Sequence, residues 1–215
     1  MSIQHHNISV SKTATYSTIG NIKNAQTIWF VLHGYGMLAK YFIKKFEPIA
    51  NDKTLIVAPD GLSKFYTQGF YGRVGATWMT KEDREEEITD YVNYLNQLYD
   101  HILSQNENQN VKINLLGFSQ GGATVSRWVA NGKVKFDNLI LWASVFPDDM
   151  NFESLDASNT FVLYGDEDEF ATNENVQKQK DLLAQSGIDF KMISFTGTHD
   201  IPKEVLLEER QKNNW

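Results

Sequence analysis

The sequence predicts an α/β fold, a mostly parallel central sheet with helices on both faces, and three observations predict it. Five short apolar runs are nearly continuous rather than alternating, as strands buried on both faces require. Each run ends in glycine, proline or a polar loop, and between the runs lie stretches with apolar residues at every third or fourth position. No linker-like, low-complexity or repeated segment divides the 215 residues, so residues 1–215 are read as one domain.

In chain order, the alternation Ile8, Val10, Tyr16, Thr18 predicts a short antiparallel hairpin over 8–19. The first long run, 27–32 (Thr-Ile-Trp-Phe-Val-Leu), is a buried strand, followed by a helix over 38–50 and a second strand over 55–58. Residues 60–80 show no periodicity, yet Phe65, Tyr66, Phe70, Tyr71, Trp78 and Met79 crowd together there with Gly69, Gly72 and Gly75. Loops of such length are often functional. Their glycine spacing does not open a helix directly from a strand, so it is no dinucleotide fingerprint. The longest helix, 83–104, carries its stripe at Ile88, Tyr91, Val92, Leu95, Leu98, Tyr99 and Ile102. A strand over 111–116 precedes a helix over 120–130, which Asn131-Gly132 stops. Strands at 139–143, 161–164 and 190–195 and helices at 173–185 and after Pro202 complete the pattern. Strands alternating with helices imply a parallel sheet, where chemistry gathers at the carboxyl ends of strands.

What stands at those ends is specific. Residues 117–122 read Gly-Phe-Ser-Gln-Gly-Gly between a strand and a helix. A Gly-x-Ser-x-Gly turn needs its glycines because the reversal is too sharp for side chains at the flanking positions, and it leaves the serine hydroxyl projecting. The competing reading is an ordinary turn serine. Ser119 as nucleophile requires a base, and the base requires a group to hold its tautomer. Of five histidines, His5 and His6 sit near the N-terminus, His101 lies on the long helix, and His33 belongs to the loop after the first long strand, where it supports backbone geometry. His199 follows the last strand and is the base. Asp166 and Asp168 both follow the strand over 161–164. Asp168, beyond the turn, can reach sideways to a histidine, whereas Asp166 is better placed to tie down the turn itself. Acyl transfer also needs donors for an oxyanion, and the main-chain amides of Tyr35, in His33-Gly34-Tyr35-Gly36, and of Gln120, at a helix N-terminus, can supply them.

Composition narrows the classes. A formal net charge of −7 gives no electrostatic drive toward nucleic acid or an anionic membrane. The absence of cysteine removes disulfides, thiolate metal sites and a cysteine nucleophile together. In the acidic stretch Asp166-Glu167-Asp168-Glu169, Ala171 stands where a calcium loop needs glycine, so no metal and no cofactor are expected. The polar N-terminus and the lack of a long apolar segment predict no stable membrane insertion and a cytoplasmic location.

Leu32-His33-Gly34-Tyr35-Gly36, Gly117-Phe118-Ser119-Gln120-Gly121-Gly122, Gly165-Asp166-Glu167-Asp168 and Gly197-Thr198-His199 together resemble the phospholipase/carboxylesterase family of α/β-hydrolases, which includes the acyl-protein thioesterases. The resemblance runs from about residue 28 to the C-terminal helix and implies the α/β-hydrolase fold. It places the family's triad on Ser119, Asp168 and His199 and its oxyanion donors on the amides of Tyr35 and Gln120. Glu169-Phe170-Ala171-Thr172 departs from the family's Val-Pro pair, and Trp78-Met79-Thr80 from its Trp-Phe-Asp. Both departures border the pocket in relatives and so bear on specificity.

The expected function is hydrolysis of carboxylic esters or thioesters, small-molecule substrates, through an acyl-serine intermediate. Phe70, Tyr71, Trp78 and Phe146 are read as walls of an acyl-binding groove. The competing reading tucks these aromatics into the body of the protein. The alternatives are a cofactor-free perhydrolase, an esterase of polysaccharide acetyl or feruloyl groups, and a catalytically idle fold kept for protein binding. A homodimer is compatible with the sequence, and no nucleic-acid partner is expected.

Overall fold

Nine strands are formed among the described residues of the computed structural model, which are 2–150, 152, 159–185 and 190–215. In chain order they are β1 (Tyr16–Ile19), β2 (Thr27–Leu32), β3 (Thr54–Pro59), β4 (Ser63–Tyr66), β5 (Val74–Thr77), β6 (Lys112–Phe118), β7 (Asn138–Trp142), β8 (Thr160–Gly165) and β9 (Lys191–Phe195). Seven make the central sheet in the order β1-β3-β2-β6-β7-β8-β9, every pairing parallel except β1 with β3. The helices are α1 (Ala39–Phe42), α2 (Arg84–Ser104), α3 (Gln120–Asn131), α4 (Asn173–Gln185) and α5 (Lys203–Lys212).

The continuous apolar runs have a simple cause. Along β2, Ile28, Phe30 and Leu32 point into a core shared with Tyr91, Leu95, Val125 and Trp128 of α2 and α3. Trp29 and Val31 point the other way, to a core shared with Phe42, Phe46, Leu206 and Trp215. Successive side chains of a strand face opposite sides, so a sheet covered on both faces needs apolar residues at every position.

Three local expectations are corrected. The hairpin read over 8–19 is absent: Ile8 and Val10 are exposed, and only Tyr16–Ile19 forms a strand, which pairs with β3 from Tyr16↔Pro59 to Ile19↔Ile56. The alternation reflects a strand whose partner is distant in sequence. The helix read over 38–50 divides into α1 and a 3-10 segment, Ile43–Ile49, which contains Pro48. Proline lacks the N–H that an α-helical turn needs. Residues 60–80, read as a loop, contain the β4–β5 hairpin, registered from Ser63↔Thr77 to Tyr66↔Val74.

The chain turns outward from β2 to β3, then returns to place β6 on the other side of β2. That reversal of strand order opens a crevice between the carboxyl ends of β2 and β6, the usual place for a site in such sheets. His33 and Ser119 stand at those two ends.

Candidate active site

Ser119 links β6 to α3 with φ 53° and ψ −121°, a conformation that L side chains adopt at a cost of about 1–3 kcal/mol. Its surroundings enforce it. The Ser119 N–H donates to the Trp142 carbonyl at 3.0 Å, while its own carbonyl accepts from the Gly122 N–H at 2.9 Å and the Ser144 hydroxyl at 2.7 Å. The glycines are required by proximity: a Cβ at Gly117 would stand 2.3 Å from the Gly121 carbonyl oxygen, and one at Gly121 would stand 2.2 Å from that of Leu32.

Past β8 and β9, two loops are tied together. The Asp166 N–H donates to the Phe195 carbonyl and the Glu167 N–H to the Gly197 carbonyl, each at 2.9 Å. Asp166 accepts from the Gly197 N–H at 3.0 Å and so fastens the turn. Asp168 reaches across instead, and its Oδ2 lies 2.8 Å from His199 Nδ1. Its other oxygen accepts from the Phe170 N–H at 2.9 Å, and its side chain is only 1% exposed. A buried carboxylate can only accept, so Nδ1 carries the proton and Nε2 is left as the basic nitrogen. The imidazole packs between the rings of Phe118, at 5.0 Å, and Phe170, at 4.9 Å. Phe118 precedes Ser119, and its ring brings the imidazole to the serine's strand end. Among the described residues, no hydrogen bond joins the Ser119 hydroxyl to His199.

His33 is buried, and its tautomer follows from its partners. Gly61 N–H donates to Nε2 at 3.0 Å, so Nδ1 holds the hydrogen and donates to the Gly34 carbonyl at 2.7 Å. Burial lowers its pKa below the ordinary 6.5, an effect the Gly34 hydrogen bond only partly offsets. The following turn lies against the serine: a Cβ at Gly34 would be 3.1 Å from Ser119 Cβ. Neither the Tyr35 N–H nor the Gln120 N–H donates to a protein acceptor among the described residues.

A family model described as Phospholipase/Carboxylesterase matches residues 15–210. The chain belongs to the phospholipase/carboxylesterase family. It is thus a carboxylesterase-family hydrolase with the α/β-hydrolase fold. Among solved structures, Zea mays acyl-protein thioesterase 2 is similar with a TM-score of 0.66 and 16% identity, over 94% of this chain and 98% of that one. The Bacillus cereus carboxylesterase gives 0.67 and 13%, over 94% and 93%. A phospholipase/carboxylesterase from Dyadobacter fermentans gives 0.65 and 16%, over 97% and 100%. No curated protein matches significantly.

Within this family member, the residues read as groove walls divide. Trp78 is 1% exposed and Phe146 is 1% exposed, and neither presents a surface to a ligand. Trp78 lies on His33 with ring centroids 5.1 Å apart, and Phe146 packs against Phe152 and Phe190. Phe70 and Tyr71, by contrast, are 85% and 98% exposed, in the connection between β4 and β5. For Trp78 and Phe146 the core reading holds and the wall reading is corrected, because an aromatic-rich segment serves a wall and a core equally well.

A device that the sequence did not single out lies in the loop after β7. Asp149 receives Arg84 Nη2 at 2.6 Å and Arg127 Nη2 at 2.9 Å. Desolvation pushes its pKa up, but the two guanidinium groups more than offset this and hold it at about 2. Residues this far apart in sequence, 84, 127 and 149, leave no spacing signal. Among the described residues no group of three or more histidine or carboxylate side chains is placed to hold a metal ion, and no helix is long and apolar enough to cross a membrane.

Proposed function

We propose that this protein hydrolyses carboxylic esters or thioesters through an acyl-serine intermediate. The observation that carries the reading is the buried Asp168 carboxylate on His199 Nδ1, with that imidazole packed on Phe118, the residue before a serine held in a strained turn. Ser119 Oγ attacks the acyl carbonyl as His199 Nε2 takes its proton, and Asp168 stabilises the imidazolium that results. The oxyanion of the tetrahedral intermediate lies against the N–H groups of Tyr35 and Gln120. Collapse breaks the bond to the leaving alcohol or thiol, which recovers the proton from Nε2. Water then attacks the acyl-serine by the same steps in reverse roles. The Ser119 to His199 hydrogen bond forms with substrate in place, as such contacts commonly tighten only in the complex.

The test is labelling with a fluorophosphonate, which reacts at activated serines. The expected adduct is on Ser119, and Ser119→Ala loses both the adduct and hydrolysis of p-nitrophenyl butyrate, with kcat down by roughly 10⁵ or more. An unlabelled, inert wild-type protein would refute the reading.

A further inference from the structure

We propose that Trp78 is a positioning residue that sets both halves of the oxyanion hole at once, an inference that rests on the function proposed above. One half is the N-terminus of α3, where Gln120 offers its main-chain N–H. The side chain of the same Gln120 grips the segment after β5: its Oε1 accepts from the Trp78 main-chain N–H at 3.2 Å, and its Nε2 donates to the Met79 carbonyl at 3.0 Å and the Thr77 hydroxyl at 2.9 Å. The other half is the turn after β2. There the Trp78 indole N–H donates to the His33 carbonyl at 2.8 Å, with its ring lying on the His33 imidazole.

The geometry makes this tie consequential. A peptide group is planar and trans, so fixing a carbonyl fixes the direction of the N–H on its other side. Trp78 fixes the His33 carbonyl, and His33 Nδ1 fixes the Gly34 carbonyl, whose peptide partner is the Tyr35 N–H. Gly34 itself cannot supply the constraint. A Cβ there would crowd Ser119 Cβ at 3.1 Å and the Phe118 ring at 3.2 Å, and the glycine that avoids this crowding is the residue freest to rotate. Within the turn the Gly34 carbonyl is held by His33 Nδ1 and, at 3.3 Å, by the Met37 N–H, and Trp78, held at its main chain by Gln120 and at its ring by His33, fixes that turn relative to α3. The neighbouring ladder reinforces it: Gly36 N–H donates to the Ala76 carbonyl and Ala76 N–H to the Met37 carbonyl, both at 2.9 Å.

Two variants test the tie separately. Trp78→Phe keeps an aromatic ring in the buried slot and removes the indole donor together with the second ring. Gln120→Met keeps length and its own main-chain N–H and removes the grip. With p-nitrophenyl butyrate, each is expected to lower kcat by about 10- to 100-fold, less than the full loss of a donor, with KM within about twofold. Affinity for butylboronic acid, whose serine adduct is tetrahedral and carries a charged oxygen, should fall by the same factor as kcat. The number of sites titrated by fluorophosphonate after long incubation, and the acid limb of the pH–rate profile, should stay as in the wild type, because the His199–Asp168 pair is untouched. Unchanged kcat and boronate affinity in either variant would overturn the inference, as would a loss that follows the fraction of titratable sites. An inert wild-type protein would remove the inference together with the function it rests on. An active wild type with fully active variants would remove the inference alone.

Discussion

His33 shows how much one buried side chain can be asked to do. It accepts from Gly61, donates to Gly34 and supports the ring of Trp78, and the first of these requires the neutral form. Its pKa in the fold lies below the unfolded value near 6.5 because burial disfavours the charge. Below pH 6.5 the unfolded chain therefore binds a proton before the folded one does. The stabilisation is complete above that pH and is lost as pH falls through the window beneath it. Urea unfolding at a series of pH values should show stability declining there by up to about 1.4 kcal/mol per pH unit from this group. His33→Asn, which keeps a donor toward Gly34 but does not titrate, should remove that part of the slope. An unaltered slope would show that His33 is not the group that titrates.

At the scale of elements, the strands and long helices were legible because burial on two faces writes a dense pattern. The bounds of β2 and α4 coincide with those read from the sequence, and α2 keeps its predicted stripe at Ile88, Tyr91, Val92, Leu95, Leu98 and Ile102. The β4–β5 hairpin was not legible. Only alternate residues of β4 are partly covered, and the hairpin pairs with the turn after β2 through Met37↔Ala76, a separation far beyond the window in which a local pattern informs. Tyr35 stacks with Phe65 of β4 at 5.2 Å, which places the hairpin beside the proposed oxyanion donors and leaves Phe70 and Tyr71 in the connection beyond. We predict that Phe70→Ala combined with Tyr71→Ala lowers kcat/KM for p-nitrophenyl decanoate by about 5- to 20-fold, as loss of apolar contact with several methylenes would. Activity on the acetate should change little. Equal losses on both esters would exclude a role in holding the acyl chain.

At the scale of the molecule, the two faces of the sheet are sealed by different means. The face under α2 and α3 is covered by long helices, while the opposite face depends on α1, the 3-10 segment, α5 and Trp215. Trp215 is buried against Trp29 of β2 and Phe161 of β8, at 6.2 and 5.0 Å between ring centroids, and so joins strands that are not neighbours in the sheet. Trp215→Ala should cost about 3–5 kcal/mol in chemical unfolding. Trp215→Phe should cost much less, since the indole N–H has no partner and its removal relieves a buried unpaired donor. Equal costs would show that a phenyl ring cannot fill the place of the full indole on this face.

The groups assigned to the proposed reaction and its support come from strand ends far apart along the chain: His33 after β2, Ser119 after β6, Asp168 after β8 and His199 after β9. The segment that carries Ser119 thus precedes the one that carries His199 by α3, β7, β8, α4 and β9, and the two can meet only after the later strands have paired. Until β9 docks beside β8, the Ser119 turn has no His199 imidazole near it, and under the proposed mechanism such a folding intermediate would be inert toward esters.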